Sequence, residues 1–564
     1  MARSIEQLLS IFNSPHNPSQ TRAVRACCLG NGWKRGRILG LAITLLSLSL
    51  IYFALSPETL WAATINAASC SQADVNFAVT SAVAGDTVVI PSCPTGVAWT
   101  SGVNISGITL KGGGSGRIIA WSEPAQTIGT GSKTFTVQAS GLAISNGQTL
   151  RASRTGTRAD YMEGTVTSYS GTTLALNITT TAGSGSSTRW LISTVPTTVL
   201  IHNVAAGNPV VTLTEHTSQR TQFQDIKIIA GTGTGVAIGL TRTSGGKAQL
   251  VHDCWLESAG ISSSTNRGVI YNCSFDSSPF SMAQLAVEIK DPNNTTNSWA
   301  SASTMGSADT TGENNLYIEN SDFHAWLNAF DNADNGRMVV RHSTFNEAGF
   351  GTHGADTGIY GQRHFEVYSS TFLRHIYSDG SSFPLPRWFY IRGGTYAIHD
   401  NTFSIAPHGV DYGVPTLDMT VMNLQRNVGG PNACWGANIS GIQYPAPRQV
   451  GFGRVMGAAG NDGNGVYFGD SEPAYLWNNT GATLGIGLSD FGGVECTNPD
   501  STTKYVVMNR DYFNNTAKPG YTPYSYPHPL VTSLGITSSF PLPRSFPQGQ
   551  PLNLPPRPQG LTIK

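Results

Sequence analysis

The sequence predicts an all-β chain wound into a right-handed parallel β-helix, and three observations carry that expectation. A six-residue phrase recurs: Val251-His-Asp-Cys-Trp-Leu256, Ile270-Tyr-Asn-Cys-Ser-Phe275, Ile318-Glu-Asn-Ser-Asp-Phe323, Val340-Arg-His-Ser-Thr-Phe345, Val367-Tyr-Ser-Ser-Thr-Phe372 and Ile398-His-Asp-Asn-Thr-Phe403. Its copies begin 19, 48, 22, 27 and 31 residues apart. Helical repeats keep a stricter period, whereas a coil returns to its starting point after a loop of any length. Aligned, the phrases give columns of one chemical kind: apolar Val251 to Ile398, small Cys254 to Asn401, large apolar Leu256 to Phe403, and turn-forming Asp253, Asn272, Asn320, His342, Ser369 and Asp400.

Composition agrees. The chain has 564 residues, 63 of them glycine, with 34 basic and 34 acidic side chains. The charge balance leaves no basic excess to hold a phosphate backbone, so nucleic acid is not an expected partner.

Residues 1–63 read as a leader. The uncharged run Ile38 to Leu55 follows Lys34, Arg35 and Arg37, and is followed by Trp61-Ala62-Ala63. That order reads as an export signal cleaved near Ala62 or Ala63; the alternative is an uncleaved anchor, the one case in which a membrane is a partner. Either reading makes the rest of the chain secreted or displayed at the surface. Cys70 and Cys93 flank the first folded segment and suit a disulfide in an oxidising compartment. Cys254 and Cys273 are column neighbours, either bridged or two buried thiols. Cys434 and Cys496 are a further possible pair. No Cys-x-x-Cys or His-x-x-x-His spacing suggests zinc.

Residues 64–126 hold a cap and the first coils: a short helix over Asp74 to Val83, then Ala84-Gly-Asp-Thr-Val-Val-Ile-Pro91 as turn and strand. A β-helix needs such a cap, because its first coil exposes an apolar end and an open strand edge. Residues 127–193 alternate as strands with Gly/Ser turns and form an inserted module. Coils resume from 194 to 530, with a long polar loop at Ser277 to Asn314. Residues 531–564 are a proline-rich tail.

The alignment also assigns outward positions. One column is His252, Tyr271, Glu319, Arg341, Tyr368, His399; the next is Leu250, Val269, Tyr317, Val339, Glu366, Ala397; a third contains Arg337 and His364. Arginine pairs with carboxylates, and tyrosine offers a stacking face. The expected substrate-binding residues are therefore Arg337, Arg341, Tyr317, Tyr368, His399 and Asp356, on a solvent-facing sheet that suits an extended acidic polysaccharide. The blander reading is a solvated sheet with cross-coil ion pairs such as Arg341 with Glu319. The loop Gly349-Phe-Gly-Thr-His-Gly-Ala-Asp-Thr-Gly358 lies between two of these coils. His353, Arg363, His364, Glu366 and Arg392 are the candidate catalytic residues, as groups able to titrate or to neutralise a uronate. No cofactor is expected. Asp331-Asn-Ala-Asp-Asn-Gly336 has oxygen donors for Ca²⁺ but not the spacing of a calcium loop, and reads better as a turn.

The coil phrases and the cap resemble the pectin-lyase-like β-helix superfamily, over most of residues 66–530. "GTHGADTG", "RHFEVYSSTF" and "RWFYIRGG" resemble a bacterial exported group of that superfamily with no assigned activity, and "YMEGTVTSYSGTTL" resembles a small β-module of phage tail and bacterial surface proteins. The resemblance implies a carbohydrate-active protein. The paired aspartates and Gly-His-Gly of polygalacturonases are missing, since Thr352 precedes His353. Lys290 is the only lysine between Val251 and Asn479, so a lyase base would be a histidine or arginine. Two functions follow as expectations: a polysaccharide lyase or hydrolase, and a non-catalytic glycan-binding or adhesive surface protein.

Overall fold

The computed structural model describes, with short interruptions, residues 62–291, 303–352, 362–375, 387–406, 416–420, 438–443, 450–451, 471–489 and 507–536. The chain is a parallel β-helix. Each coil turns through three short strands, as in Leu250–His252, Trp255–Glu257 and Ala259–Ser263. The first strand of every coil joins one parallel sheet, here the front wall. Its later strands are β1 (Leu250–His252), β2 (Gly268–Tyr271), β3 (Leu316–Glu319), β4 (Arg337–Arg341), β5 (His364–Tyr368), β6 (Thr395–His399), β7 (Ala474–Trp477) and β8 (Tyr512–Asn514), paired in that order.

The expected columns are those observed. Val251, Ile270, Ile318, Val340, Val367 and Ile398 are direct partners from rung to rung and are fully buried. Phe275, Phe323, Phe345, Phe372 and Phe403 stack with ring centroids 4.7, 4.9, 4.6 and 4.8 Å apart. Each contributes roughly 2 kcal/mol through burial, and stacking on the rung spacing adds favourable ring contacts. The turn column has left-handed backbone throughout: φ is 53° at Asp253, 55° at Asn272, 52° at Asn320, 50° at His342 and Ser369, and 53° at Asp400. Asn and Asp tolerate that conformation best among residues with a Cβ, which accounts for their share of the column.

The small column carries a hydrogen-bond ladder. Backbone N–H groups of Cys273, Ser321 and Ser343 donate to the hydroxyls of Ser321, Ser343 and Ser370 on the next rung, at 3.1, 3.2 and 3.2 Å. Ser370 N donates to Asn401 Oδ1 and Asn401 N to Asn479 Oδ1. Each serine hydroxyl also donates to the carbonyl two residues back, so the buried turn has its polar groups satisfied. Cys254 and Cys273 are buried free thiols in this column, not a bridge.

At the N-terminal end, helix α1 (Gln72–Ser81) starts at Ser71, whose hydroxyl accepts from Asp74 N. It buries Val75 and Ala78 over the first coil. The Cys70–Cys93 disulfide ties it down, and the Trp99 indole N–H donates to Cys70 O at 3.0 Å.

Between early coils stands an antiparallel six-stranded sheet with its own core of Phe135, Leu150, Met162, Leu174, Leu176 and Trp190. A bridge between Ser122 and Val137 joins its first and last strands. The strand Ile118–Ser122 belongs to this sheet and not to a coil. At its root Arg117 reaches the turn column: its guanidinium donates to Asp322 Oδ2 at 2.8 and 3.0 Å, to Asn320 O at 3.2 Å and to Asn272 Oδ1.

The C-terminal segment Tyr521–Ser533, ending in helix α2 (Pro529–Ser533), lies along the outside of the front wall. It crosses the rungs backwards. Tyr521 touches His399 on β6, Tyr524 packs on Tyr317 of β3, and Leu530 and Val531 cover Leu250 and Val269 of β1 and β2. The cause is the wall's own composition. Leu250, Val269 and Val339 point outward and are apolar, and a strap that buries them removes that area from water.

Candidate functional site

The three outward columns have the register expected of them. Tyr271, Glu319, Arg341, Tyr368 and His399 are rung partners, as are Val269, Tyr317, Val339, Glu366 and Ala397, and Arg337 pairs with His364. Their environment differs from the solvent-facing sheet expected. Glu319, Arg341, Tyr317, His364 and Glu366 have no exposed surface, and Arg337, Tyr368 and His399 almost none. The strap and the 303–315 segment cover Tyr317, Glu319, Arg341, Glu366, Tyr368 and His399.

Arg341 is the centre of that cover. Its Nε donates to Glu319 Oε1 at 2.8 Å, and its Nη1 to the Tyr368 hydroxyl at 2.8 Å. Nη1 and Nη2 also donate to strap carbonyls, Tyr524 O at 2.7 Å and Ser525 O at 2.6 Å. The other Glu319 oxygen accepts from His528 N at 2.9 Å. Burial, the largest single influence, acts against the guanidinium's charge, but Glu319 and Tyr368 together outweigh it and hold the pKa above its ordinary value. Arg341 was expected to bind substrate, with an ion pair to Glu319 on a solvated surface as the blander alternative; the pair forms, but it is buried and docks the strap.

Four groups form a continuous hydrogen-bonded chain at the start of the strap. Asp400 Oδ2 bonds His399 Nδ1 at 2.7 Å, and His399 Nε2 bonds the Tyr521 hydroxyl at 3.0 Å. The Tyr521 hydroxyl donates to Glu366 Oε2, while Glu366 Oε1 accepts from Gly306 N at 3.3 Å. The His399 ring is sandwiched between Trp477, 4.1 Å away, and Tyr368, 4.7 Å away. It is therefore fixed in orientation, as the middle member of a relay must be. Burial pushes the Glu366 carboxyl up to about 7. Burial and the adjacent Glu366 push the Tyr521 phenol far up, and burial lowers the His399 imidazole. Near neutrality the chain thus holds a carboxyl that readily exchanges a proton, a phenol that keeps its own, and a neutral imidazole. Asp400 is exposed and Tyr521 half-buried, so the relay is open at one edge.

The other candidates are placed as follows. Arg363 is fully buried and pairs both Glu472 oxygens, at 2.8 and 3.0 Å. Gly394, at φ 67°, sits against this backbone, where a Cβ would lie 2.5 Å from Gln362 O and 2.8 Å from Arg363 O. Neither ring nitrogen of His364 has a hydrogen-bond partner among the described residues; burial, then Arg337 and Arg363, hold it neutral. Burial also lowers Arg337, to about 10. Tyr317 donates to Asp309 Oδ2 at 3.1 Å. His353, Asp356 and Arg392 lie outside the described residues, as do Cys434, Cys496 and the Ile38–Leu55 run. Asp331 is the penultimate residue of the strand Asp322–Asn332, and a turn follows in which Gly336 N donates to Ala333 O; Asp334 is outside the described residues.

Tyr521, Asp400 and Glu472 were not singled out from the sequence as site residues. Asp400 appeared only as a turn former. Tyr521 and Glu472 belong to no repeated phrase. One signal did point to a cover: Leu250, Val269 and Val339 occupy outward positions that a bare sheet would fill with polar residues.

No protein-family model matches the chain, and no curated protein matches it. Among solved structures it is similar to the tailspike protein gp49 of Pseudomonas phage LKA1, at 11% identity over 82% of this chain and 76% of that chain, with a TM-score of 0.21. It is also similar to the gp54 tailspike of Acinetobacter baumannii bacteriophage AP22, solved in complex with a capsular saccharide, at 10% identity over 85% and 76%, with a TM-score of 0.20. A third is the tailspike gp61 of Pseudomonas phage phi297, at 11% identity over 74% and 67%, with a TM-score of 0.16. At these values no residue role passes from those proteins to this chain; the β-helix assignment stands on its own strand pairing.

Proposed function

We propose that the protein is an exported, carbohydrate-active β-helix protein that cleaves an acidic polysaccharide, with Tyr521 as the proton donor. The observation that carries this reading is the Tyr521 hydroxyl, held between Glu366 and His399 at the half-open edge of the front wall. In β-elimination the C5 hydrogen leaves as a proton to a base, for which the sequence offers His353. The electron pair left at C5 forms the C4=C5 double bond as the bond from C4 to the leaving oxygen breaks, and that oxygen takes the Tyr521 proton. The phenolate recovers a proton from the Glu366 carboxyl, which is replenished from solvent. In hydrolysis the same donor protonates the leaving oxygen as its bond to the anomeric carbon breaks, water attacks that carbon, and the proton that water loses restores the phenol. Arg363 is paired with Glu472 and Arg337 is buried, so of the arginines the sequence nominates, neutralising a uronate falls to Arg392.

The test is a panel of polyuronates and neutral glycans, read by the ultraviolet absorbance of unsaturated products and by new reducing ends. At least one polymer is expected to be cut, and Tyr521→Phe, which keeps the ring and loses the proton, is expected to lower turnover by at least a hundredfold with binding retained. Full activity in Tyr521→Phe sinks the assignment of the donor. A second reading, a non-catalytic glycan-binding or adhesive protein, is favoured by the strap that buries Glu366 and His399. Binding to a glycan without cleavage of any polymer in the panel would establish it in place of the first.

A further inference from the structure

The strap divides the front wall. From β1 to β6 the outward column Leu250, Val269, Tyr317, Val339, Glu366, Ala397 is buried beneath it. The same column continues through Tyr475 on β7 and Phe513 on β8. These two lie past the strap's first residue, and both are only half-buried. Their rings are stacked, 5.2 Å between centroids and 9° from parallel. Among the described residues β8 is the last strand of the wall, and no further rung pairs beyond Phe513.

The pair is continuous with the relay. Tyr475 and Tyr521 pack against one cluster, Met305, Ala397 and Trp477, with Trp477 and Tyr521 5.2 Å apart. Ala397 is the small member of the column between Glu366 and Tyr475, and Tyr521 packs there. An aromatic stack left accessible beside a proton donor has the chemistry of a sugar subsite. The C–H faces of a pyranose pack on aromatic rings, and its hydroxyls stay in water.

We propose that Tyr475 and Phe513 form a pyranose-stacking subsite, so that a polysaccharide lies along the helix axis over β6, β7 and β8 and enters the relay from the end the strap leaves open. This rests on the carbohydrate-active reading above. It adds the direction of approach: the strap is a fixed wall of the site, not an occupant that the ligand must displace.

The experiment measures binding of the panel polymers to the full chain by affinity electrophoresis and calorimetry, with Tyr521→Phe as background so that cleavage does not intrude. Tyr475→Ala and Phe513→Ala are each expected to weaken binding about tenfold, the loss of one stacking contact. Tyr475→Phe, which keeps the ring, should stay within about twofold. Unchanged affinity in both alanine variants overturns the subsite while the carbohydrate reading stands. If the unmodified chain binds no glycan, both fall together. If light scattering shows a dimer that Tyr475→Ala converts to a monomer, the pair is a subunit contact and the proposal is wrong. Circular dichroism of Tyr475→Ala and Phe513→Ala separates loss of the subsite from loss of the fold.

Discussion

Arg341 on β4 and Glu319 on β3 are joined across adjacent rungs by a bond of 2.8 Å, and neither side chain reaches solvent. The pair also holds the strap, since Arg341 donates to two of its carbonyls and Glu319 accepts from His528 N. Replacing Arg341 by methionine leaves a buried carboxylate and two carbonyls without their cation. The expected cost is about 3–5 kcal/mol, and the strap should loosen before the coils do. Urea unfolding gives the loss, and limited proteolysis should release a C-terminal fragment from the variant. A variant with unchanged midpoint and an intact C-terminal segment would show that apolar packing alone seats the strap.

Glu366 makes stability depend on pH in a definite direction. Its folded pKa is raised to about 7, so between the ordinary carboxylate range and pH 7 the native state binds more protons than the unfolded chain. Stability from this group is present at low pH and is lost as pH rises through about 7, by about 3 kcal/mol in all. Burial lowers His342 and His528 to about 4, and these act oppositely: their contribution is lost as pH falls from 6.5 towards 4. The Glu366 effect therefore has to be read as a difference. Wild type minus Glu366→Gln should decline steadily from about pH 4.5 to 7.5, and a flat difference would contradict the burial argument.

How much of this could be read from the sequence follows from the repeat. Parallel coils put like positions above one another, so one alignment of Ile318, Val340, Val367 and Ile398 fixed the lumen, the phenylalanine stack and the register of Arg337 on His364. That logic says which way a side chain points. It does not say what lies outside. The strap meets Glu319 and Arg341 from some 180–210 residues further along the chain, with no phrase to align it. The relay was half legible for the same reason: Glu366 and His399 belong to columns, Tyr521 belongs to the strap. The serines of the small column were legible as small, but their ladder is a matter of hydroxyl geometry that spacing does not reveal.

Arg117 predicts how the inserted sheet is coupled to the coils. The sheet has its own core, while Arg117 binds residues of two rungs, Asn272 on one and Asn320 with Asp322 on the next. Arg117→Ala should leave the sheet folded and weaken its attachment. Calorimetry is expected to resolve one transition in wild type into two in the variant, with amide exchange rising at residues 112–117 and 194–198. One unshifted transition would mean that the backbone bonds at the root, such as Thr197 N to Gly114 O, suffice.

The serine ladder gives the sharpest local prediction. Ser343 accepts from Ser321 N and donates to Arg341 O, both buried. Ser343→Ala removes one atom, leaves a small cavity, and orphans an N–H that no water can reach. That should cost about 1–3 kcal/mol. Ser343→Cys should cost less, because the same column already seats Cys254 and Cys273, whose thiols lie 3.1 and 3.4 Å from the carbonyls two residues back. The order alanine worse than cysteine distinguishes a hydrogen-bonding role from a packing one, in which the larger sulfur would be the more disruptive. Urea midpoints for the two variants decide it: cysteine falling below alanine would mean that the column is small for reasons of space alone.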